Sequence, residues 1–317
     1  MSAVLIVICL LLPIQALAAD TSKPVYEDNV DHLHEYWNYR DPEESERRFR
    51  ALIEVAQQSD NPDYFPVLLS QIARTYSLRG QFDNAMAQLH EAQKLVQDRN
   101  SVAWAYLLIE YGRVYNSAGD KEEARKYFED AFRVADLAGD DYLATDAAHM
   151  MAIAEALPNQ MKWNVIALGI AESSSHPRAR DWRGSLYNNI GWTHFDKGEY
   201  DQAMEMFRKG VAFRAEKGQG RRLQIARWAV ARTHRALGNH ELALGEQLKL
   251  EQEQREAGAP ADGYVIEEIA ELYHLKDDPR AATYFEQAYN LLYEDAWLRE
   301  NEPDRLDRLR RLSQAGR

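Results

Sequence analysis

Histidine, arginine and tryptophan supply the side chains of this sequence whose type and spacing could do chemistry. His194, His234 and His274 recur every 40 residues, with the regularity of a metal ladder. Arg74, Arg113, Arg232 and Arg235 share a register with Asn188, Trp192, Phe195 and Trp228 when the chain is laid out on its recurring glycines. Arginine and tryptophan are the types most enriched at binding hot spots. A guanidinium takes a carboxylate through two parallel hydrogen bonds, and an indole supplies rigid apolar area. The stripe therefore reads as a surface for an extended or helical peptide with acidic and aromatic or aliphatic side chains. The competing reading is that these arginines pair with Asp and Glu of the chain's own adjacent segments, as surface charges commonly do.

The histidine ladder does not make a metal site. Equivalent positions on neighbouring helices stand roughly 8–10 Å apart, whereas zinc holds nitrogen ligands at about 2.0–2.1 Å. His194 and His234 fill the slot that Tyr76 and Tyr115 fill elsewhere, so one ring replaces another in a helix interface. His32-x-His34 is read as incidental. No H-E-x-x-H, G-x-S-x-G or P-loop occurs, Gly218-Gln219-Gly220 is a loop, and Ser173-Ser174-Ser175 has no accompanying base. The sequence thus predicts no catalytic residue, no metal and no cofactor.

The elements that must position the stripe follow from a repeat. Glycines at 80, 119, 198 and 238 are separated by 39, 79 and 40 residues, a period near 40 with one degenerate copy. Around each the same pattern returns. Ile72-Ala73-x-x-Tyr76-x-x-x-Gly80-x-Phe82-x-x-Ala85-x-x-x-Leu89-x-x-Ala92 is the first copy. Tyr111-Gly112-x-x-Tyr115-x-x-x-Gly119 with Ala124, Phe128 and Ala131 is the second. Ile190-Gly191-x-x-His194-x-x-x-Gly198-x-Tyr200 with Ala203 and Phe207, then Val230-Ala231-x-x-His234-x-x-x-Gly238 with Ala243, continue the series. Ile269-Ala270-x-x-Tyr273 with Ala281, Phe285 and Ala288 closes it with a shortened turn. Small residues at 73, 112, 191 and 231 let two helices approach, and large residues three and four positions away fill the groove between them. The glycine ends the first helix in a left-handed conformation.

These residues resemble the tetratricopeptide-repeat family from about residue 63 to 294, in an exported bacterial form with repeats longer than the usual 34 residues. The resemblance implies an all-α, right-handed superhelical solenoid of antiparallel helix pairs, whose inner, concave face is lined by the first helix of each pair. Counting from the turn glycines places on that face Val67, Ser70, Arg74 and Ser77, then Tyr106, Ile109, Arg113 and Asn116, then Tyr142, Thr145 and His149 of the degenerate copy, then Ser185, Asn188, Trp192 and Phe195, then Ile225, Trp228, Arg232 and Arg235, and last Tyr264, Glu267, Glu271 and His274. Repeats are expected near 63–98, 101–138, 141–177 (the degenerate copy), 181–217, 221–257 and 261–294. Residues 19–62 form a linker and capping helices, and 295–317 a C-terminal capping helix, the polar ends that solenoids need. Some members of the family clamp a C-terminal carboxylate with Lys and Asn. Asn188 and Asn189 fall in that region without the lysines, so that activity is not carried over.

Composition bounds the rest. The 317 residues carry a net charge of −13, which repels phosphate backbones and disfavours a nucleic-acid partner. Ala3 to Leu12 is an apolar run too short to span a membrane. Pro13 breaks it, and Ala16-Leu17-Ala18 fits a signal-peptidase site. A cleaved signal at 1–18 is expected, starting the mature chain at Ala19, although the n-region lacks Lys and Arg; an uncleaved anchor is the alternative. Cys9, the single cysteine, leaves with the signal, so the mature chain has no thiol chemistry. No other stretch is apolar enough to span a membrane. These features point to a periplasmic or secreted, non-catalytic scaffold of the cell envelope that holds a protein or peptide in its groove. A periplasmic sensory input module is the alternative, and an enzyme or small-ligand binder the weakest reading.

Overall fold

Every regular element among the described residues is helical, as the repeat pattern requires. The computed structural model describes residues 29–315; Cys9, the apolar run and the expected cleavage after Ala18 lie outside them. A 3-10 helix at Val30–Tyr36 leads into α1 (Pro42–Arg50) and α2 (Ile53–Gln57). Three antiparallel pairs follow: α3 (Tyr64–Leu78) with α4 (Phe82–Leu95), α5 (Val102–Ser117) with α6 (Lys121–Ala138), and α7 (Asp141–Ala154) with α8 (Leu157–Ser173). The short α9 (Pro177–Asp181) precedes α10 (Arg183–Asp196) with α11 (Tyr200–Glu216), α12 (Gly220–Ala236) with α13 (His240–Glu256), and α14 (Gly263–His274) with α15 (Arg280–Tyr293). Helices α16 (Ala296–Asn301) and α17 (Pro303–Gln314) close the chain. No described helix is long and apolar enough to cross a membrane.

Gly119 shows how a pair is made. Its φ of 94° turns the chain, and the amide of Asp120 reaches back 2.9 Å to the carbonyl of Tyr115. That bond satisfies a helix-end carbonyl. The Asp120 side chain then accepts from the Glu123 amide at 3.0 Å and caps α6. In the last pair Asp277 stands where four of the other pairs have glycine, with φ 52°, and the Asp278 amide makes the same bond to Tyr273 at 3.0 Å. Aspartate is among the few non-glycine residues that tolerate this conformation.

The close approach of two helices is set by one residue pair. A Cβ added at Gly112 would stand 2.4 Å from the Phe128 ring, and one at Gly191 2.5 Å from the Phe207 ring. Both rings are fully buried. Burying such a side chain is worth about 1.5–3 kcal/mol, so each glycine is the seat for a large part of its pair's core.

The chain divides at 186/187, inside α10, into an N-terminal body through Leu186 and a C-terminal body from Tyr187. Leu68, Ile72, Leu89, Leu107 and Ile109 lie at the centre of the first core, and Ile269, Phe285, Leu298 and Leu309 in that of the second.

Candidate functional site

In the N-terminal body the first helices α3, α5 and α7 bring Arg74, Glu110, Arg113 and Asp146 together. Arg113 Nη2 donates to both oxygens of Asp146, at 2.6 and 2.7 Å, and its Nη1 donates to Glu110. Burial works against the Arg113 charge, but Asp146 and Glu110 outweigh it and hold the guanidinium firmly protonated. Arg74 Nη1 lies 3.6 Å from Glu110 Oε1. Each arginine thus meets a carboxylate of the next helix pair, or of its own turn. Val67 and Ser70, counted onto this face from the turn glycines, are fully buried instead.

The same face carries an occupant that the repeat pattern does not predict. The segment 29–39 lies across it from α3 to α9. Trp37 donates its indole N–H to Gln71 of α3 at 3.0 Å, and Leu33 and Trp37 are buried. Trp37 and Tyr39 stack at 4.7 Å with an interplanar angle of 1°, and the Arg74 guanidinium lies 5.4 Å from each ring centroid. Farther along, Arg178 Nη1 donates to Asp31 Oδ1 at 2.7 Å, and His176 Nε2 lies 3.3 Å from Asp31 Oδ2. Arg178 also sits 3.7 Å from the centroid of Tyr142. Burial, the largest influence, pushes the Tyr142 hydroxyl up to about 12. Beneath this segment three buried polar atoms have no partner: Arg74 Nε, Glu110 Oε2 and His176 Nδ1.

In the C-terminal body the first-helix face is aromatic. Trp192 of α10 lies 5.1 Å from Phe195, 4.9 Å from Phe207 and 5.7 Å from Trp228 of α12, and Trp228 lies 6.1 Å from Tyr264 of α14. Trp192, Phe195, Trp228 and Tyr264 are all only partly buried. Both indole N–H groups are engaged, Trp192 with Asn188 Oδ1 at 3.2 Å and Trp228 with the Tyr264 carbonyl at 3.1 Å. The rings therefore offer π faces and edges. Arg232 lies 5.4 Å from the Phe195 centroid and 5.9 Å from that of Trp228, within cation–π range.

Arg232 and Arg235 both donate to Glu268 of α14, Arg235 through Nε at 2.7 Å and Nη2 at 2.8 Å. The Glu268 side chain is 3% exposed. Its burial would raise the carboxyl, but the two guanidiniums override this and hold it below the ordinary carboxylate range. One pair on, Glu267 and Glu271 of α14 accept from Arg305 and Arg308 of α17.

The structure thus gathers the predicted residues on two faces, Arg74 and Arg113 on one and the other six on the second. It commits all four predicted arginines to carboxylates of the chain itself, so none presents a bare guanidinium to an acidic partner. The reading in which the arginines pair internally is the one the geometry shows. Tyr142 falls on the face where the repeat register puts it, whereas Asp31, Trp37, Tyr39 and Arg178 were not predicted, because their juxtaposition crosses up to 147 residues. The aromatic pair Trp37-x-Tyr39 directly ahead of the first capping helix was the one available signal. The three periodic histidines stay apart in function: His194 Nδ1 lies 2.6 Å from Glu199, and His274 stacks edge-on with Phe285 at 5.8 Å. Among the described residues no group of three His, Cys, Asp or Glu side chains is placed to hold a metal ion.

Helix pairs closed by left-handed turns, with glycine or alanine seated against a large side chain, define a tetratricopeptide-repeat architecture. Family models described as tetratricopeptide repeat match residues 105–136, which are α5 and α6, and 184–217, which are α10 and α11. The chain thus contains tetratricopeptide repeats in these two stretches. A model described as anaphase-promoting complex subunit 5 matches residues 16–108. No curated protein matches the chain. Among solved structures it is similar to a signal-transduction ATPase with numerous domains that has a tetratricopeptide-repeat sensor, from Pyrococcus horikoshii. There the identity is 17% and the TM-score 0.64, over 88% of this chain and 46% of that one. This chain therefore spans less than half the length of that protein. It is also similar to the apo form of RapI, with 12% identity, a TM-score of 0.68, and coverage of 84% and 77%. A Rap protein complexed with Competence and Sporulation Factor gives 10% identity and a TM-score of 0.54, over 84% and 75%. Likeness at these identities speaks to the fold.

Proposed function

We propose that this protein is a non-catalytic scaffold of the cell envelope that binds a protein or peptide on its first-helix faces. The observation that carries the reading is the aromatic face of residues 187–315. Trp192, Phe195, Trp228 and Tyr264 touch in sequence across three first helices while remaining partly open. Their indole N–H groups are satisfied within the chain, so the surface suits aliphatic and aromatic side chains more than acidic ones. Rigid aromatic area with a neighbouring arginine is the composition of binding hot spots. The complex of a structurally similar Rap protein with Competence and Sporulation Factor supports ligand binding by this architecture. Export rests on the sequence alone, on Ala3–Leu12 followed by Ala16-Leu17-Ala18. N-terminal sequencing of the protein recovered from the envelope fraction tests it, and a chain still beginning at Met1 would contradict cleavage.

In-cell crosslinking followed by identification of captured proteins tests the scaffold, comparing the native chain with a Trp228→Ala/Phe195→Ser variant shown by circular dichroism to fold. Loss of a specific partner from the variant supports the aromatic face as the binding site. Retention of every partner would move binding elsewhere on the molecule. A sensory input module is the second reading, favoured by the similarity to a protein with a tetratricopeptide-repeat sensor over 88% of this chain.

A further inference from the structure

We infer that the first-helix face of the N-terminal body is a second, separate binding site, covered at rest by residues 29–39 and taken over by a partner segment of matching chemistry. The covering segment behaves as a bound ligand would. It is a short 3-10 helix, a tight form with poor hydrogen-bond geometry that is seldom extended. It is held at one end by the stacked Trp37 and Tyr39 beside Arg74, with Trp37 edge-on to Phe49 of α1 at 5.1 Å, at the other by Asp31 against Arg178 and His176, and between them by the buried Leu33. Between these ends His34 and Glu35 face solvent. The linker to α1 is fixed by a reciprocal lock, the Asn38 amide donating to Ser45 Oγ at 2.7 Å and Ser45 Oγ donating to the Asn38 carbonyl at 3.0 Å. A segment tethered at Asn38 and clasped at Asp31 can swing away without breaking a helix pair.

As a ligand it is incomplete. Glu110 is 1% exposed, yet its Oε2 accepts no hydrogen bond, and the buried Nε of Arg74 and Nδ1 of His176 are also bare. Leaving buried polar atoms unpaired is costly, so an occupant that supplied a donor to Glu110 and an acceptor to Arg74 would bind this face better than residues 29–39 do. Removing the segment would also take Asp31 from Arg178. Arg74, Arg113 and Arg178 would then be left with Glu110, Asp146 and Asp140, and the place beside Arg178 and His176 that Asp31 fills would be open to a partner's carboxylate. The partner that fits is a segment with a carboxylate six residues ahead of an aromatic residue, the spacing of Asp31 and Trp37, and with side-chain amide or hydroxyl groups between them. The inference does not depend on the aromatic face of the other body.

The test is binding of a fluorescently labelled synthetic peptide of residues 29–39 to the full chain. The native chain is compared with an Asp31→Lys/Trp37→Ala variant whose covering segment is weakened. The variant is expected to bind the peptide at least ten-fold more tightly than the native chain, and a peptide carrying the same two changes is expected not to bind. Adding Trp228→Ala should leave the affinity unchanged, which separates this site from the aromatic face. A folded variant that fails to bind the peptide overturns the inference. Amide hydrogen exchange on the native chain decides the case if the variant does not fold. Amides 30–37 should exchange well before those of α3 and α5; exchange only together with them would make the segment a fixed part of the core and overturn the inference.

Discussion

Arg113 and Asp146 are joined across two helix pairs by one guanidinium nitrogen that stands 2.6 and 2.7 Å from the two carboxylate oxygens. Asp146 is 3% exposed, so neither water nor a mobile side chain can replace it. Breaking a buried pair by removing one partner costs about 3–5 kcal/mol, whereas replacing both by apolar groups is often neutral. Asp146→Ala should therefore lower the urea-unfolding free energy of the N-terminal body by that amount. Arg113→Met/Glu110→Gln/Asp146→Leu, which also neutralises the second buried carboxylate that Arg113 serves, should recover most of it. Equal losses in both variants would show that the pair stabilises outright.

Gly112→Ala places a methyl group 2.4 Å from the Phe128 ring. Overpacking of this kind costs about 1–3 kcal/mol. The first pair carries Ala73 and, sixteen residues on, Leu89, as the second carries Gly112 and Phe128. The double change Gly112→Ala/Phe128→Leu reproduces that combination, and thermal melts should show it more stable than Gly112→Ala alone. A Gly112→Ala protein melting like the native chain would mean the two helices can separate freely.

Gln247 stands sixteen residues after Ala231, where the second and third glycine-centred copies have phenylalanine. It is fully buried, and neither its Nε2 nor its Oε1 has a partner. An unsatisfied buried polar group costs about 1–3 kcal/mol. Gln247→Leu should therefore raise the unfolding free energy by up to about that much. A destabilised Gln247→Leu protein would indicate that the amide is satisfied in solution.

His149 of α7 sits beside Trp182, with ring centroids 4.7 Å apart, and burial depresses its pKa from 6.5 to about 4. The unfolded chain takes up this proton near the ordinary histidine pKa, while the folded chain resists until about 4. The contribution is thus complete above pH about 6.5 and is lost as pH falls toward 4, by about 3 kcal/mol in all. Native and His149→Gln proteins should converge in stability over that interval, with carboxylate titration common to both. Parallel pH profiles would show that His149 protonates as readily in the fold as out of it.

How much of this was legible in the sequence depended on the reach of each interaction. The helix pairs were legible because their determinants are local: a small residue, a ring three or four positions on, and a glycine at the turn, with φ between 70° and 94° at positions 80, 119, 198 and 238. Seating Phe128 on Gly112 and Phe207 on Gly191 follows from the same sixteen-residue spacing. The aromatic face was also legible, since Trp192, Phe195 and Trp228 fall on it by helical register. What the stripe could not reveal was which side chains were already spoken for. Arg113 meets Asp146 across 33 residues and Arg232 meets Glu268 across 36, and either could have faced solvent without disturbing the pattern. The segment 29–39 belongs to no repeat, so no periodicity placed it. Only the tertiary structure brings Asp31 to Arg178 and Trp37 to Gln71, because a contact between a non-repeating segment and a distant helix depends on where the whole N-terminal body puts that helix.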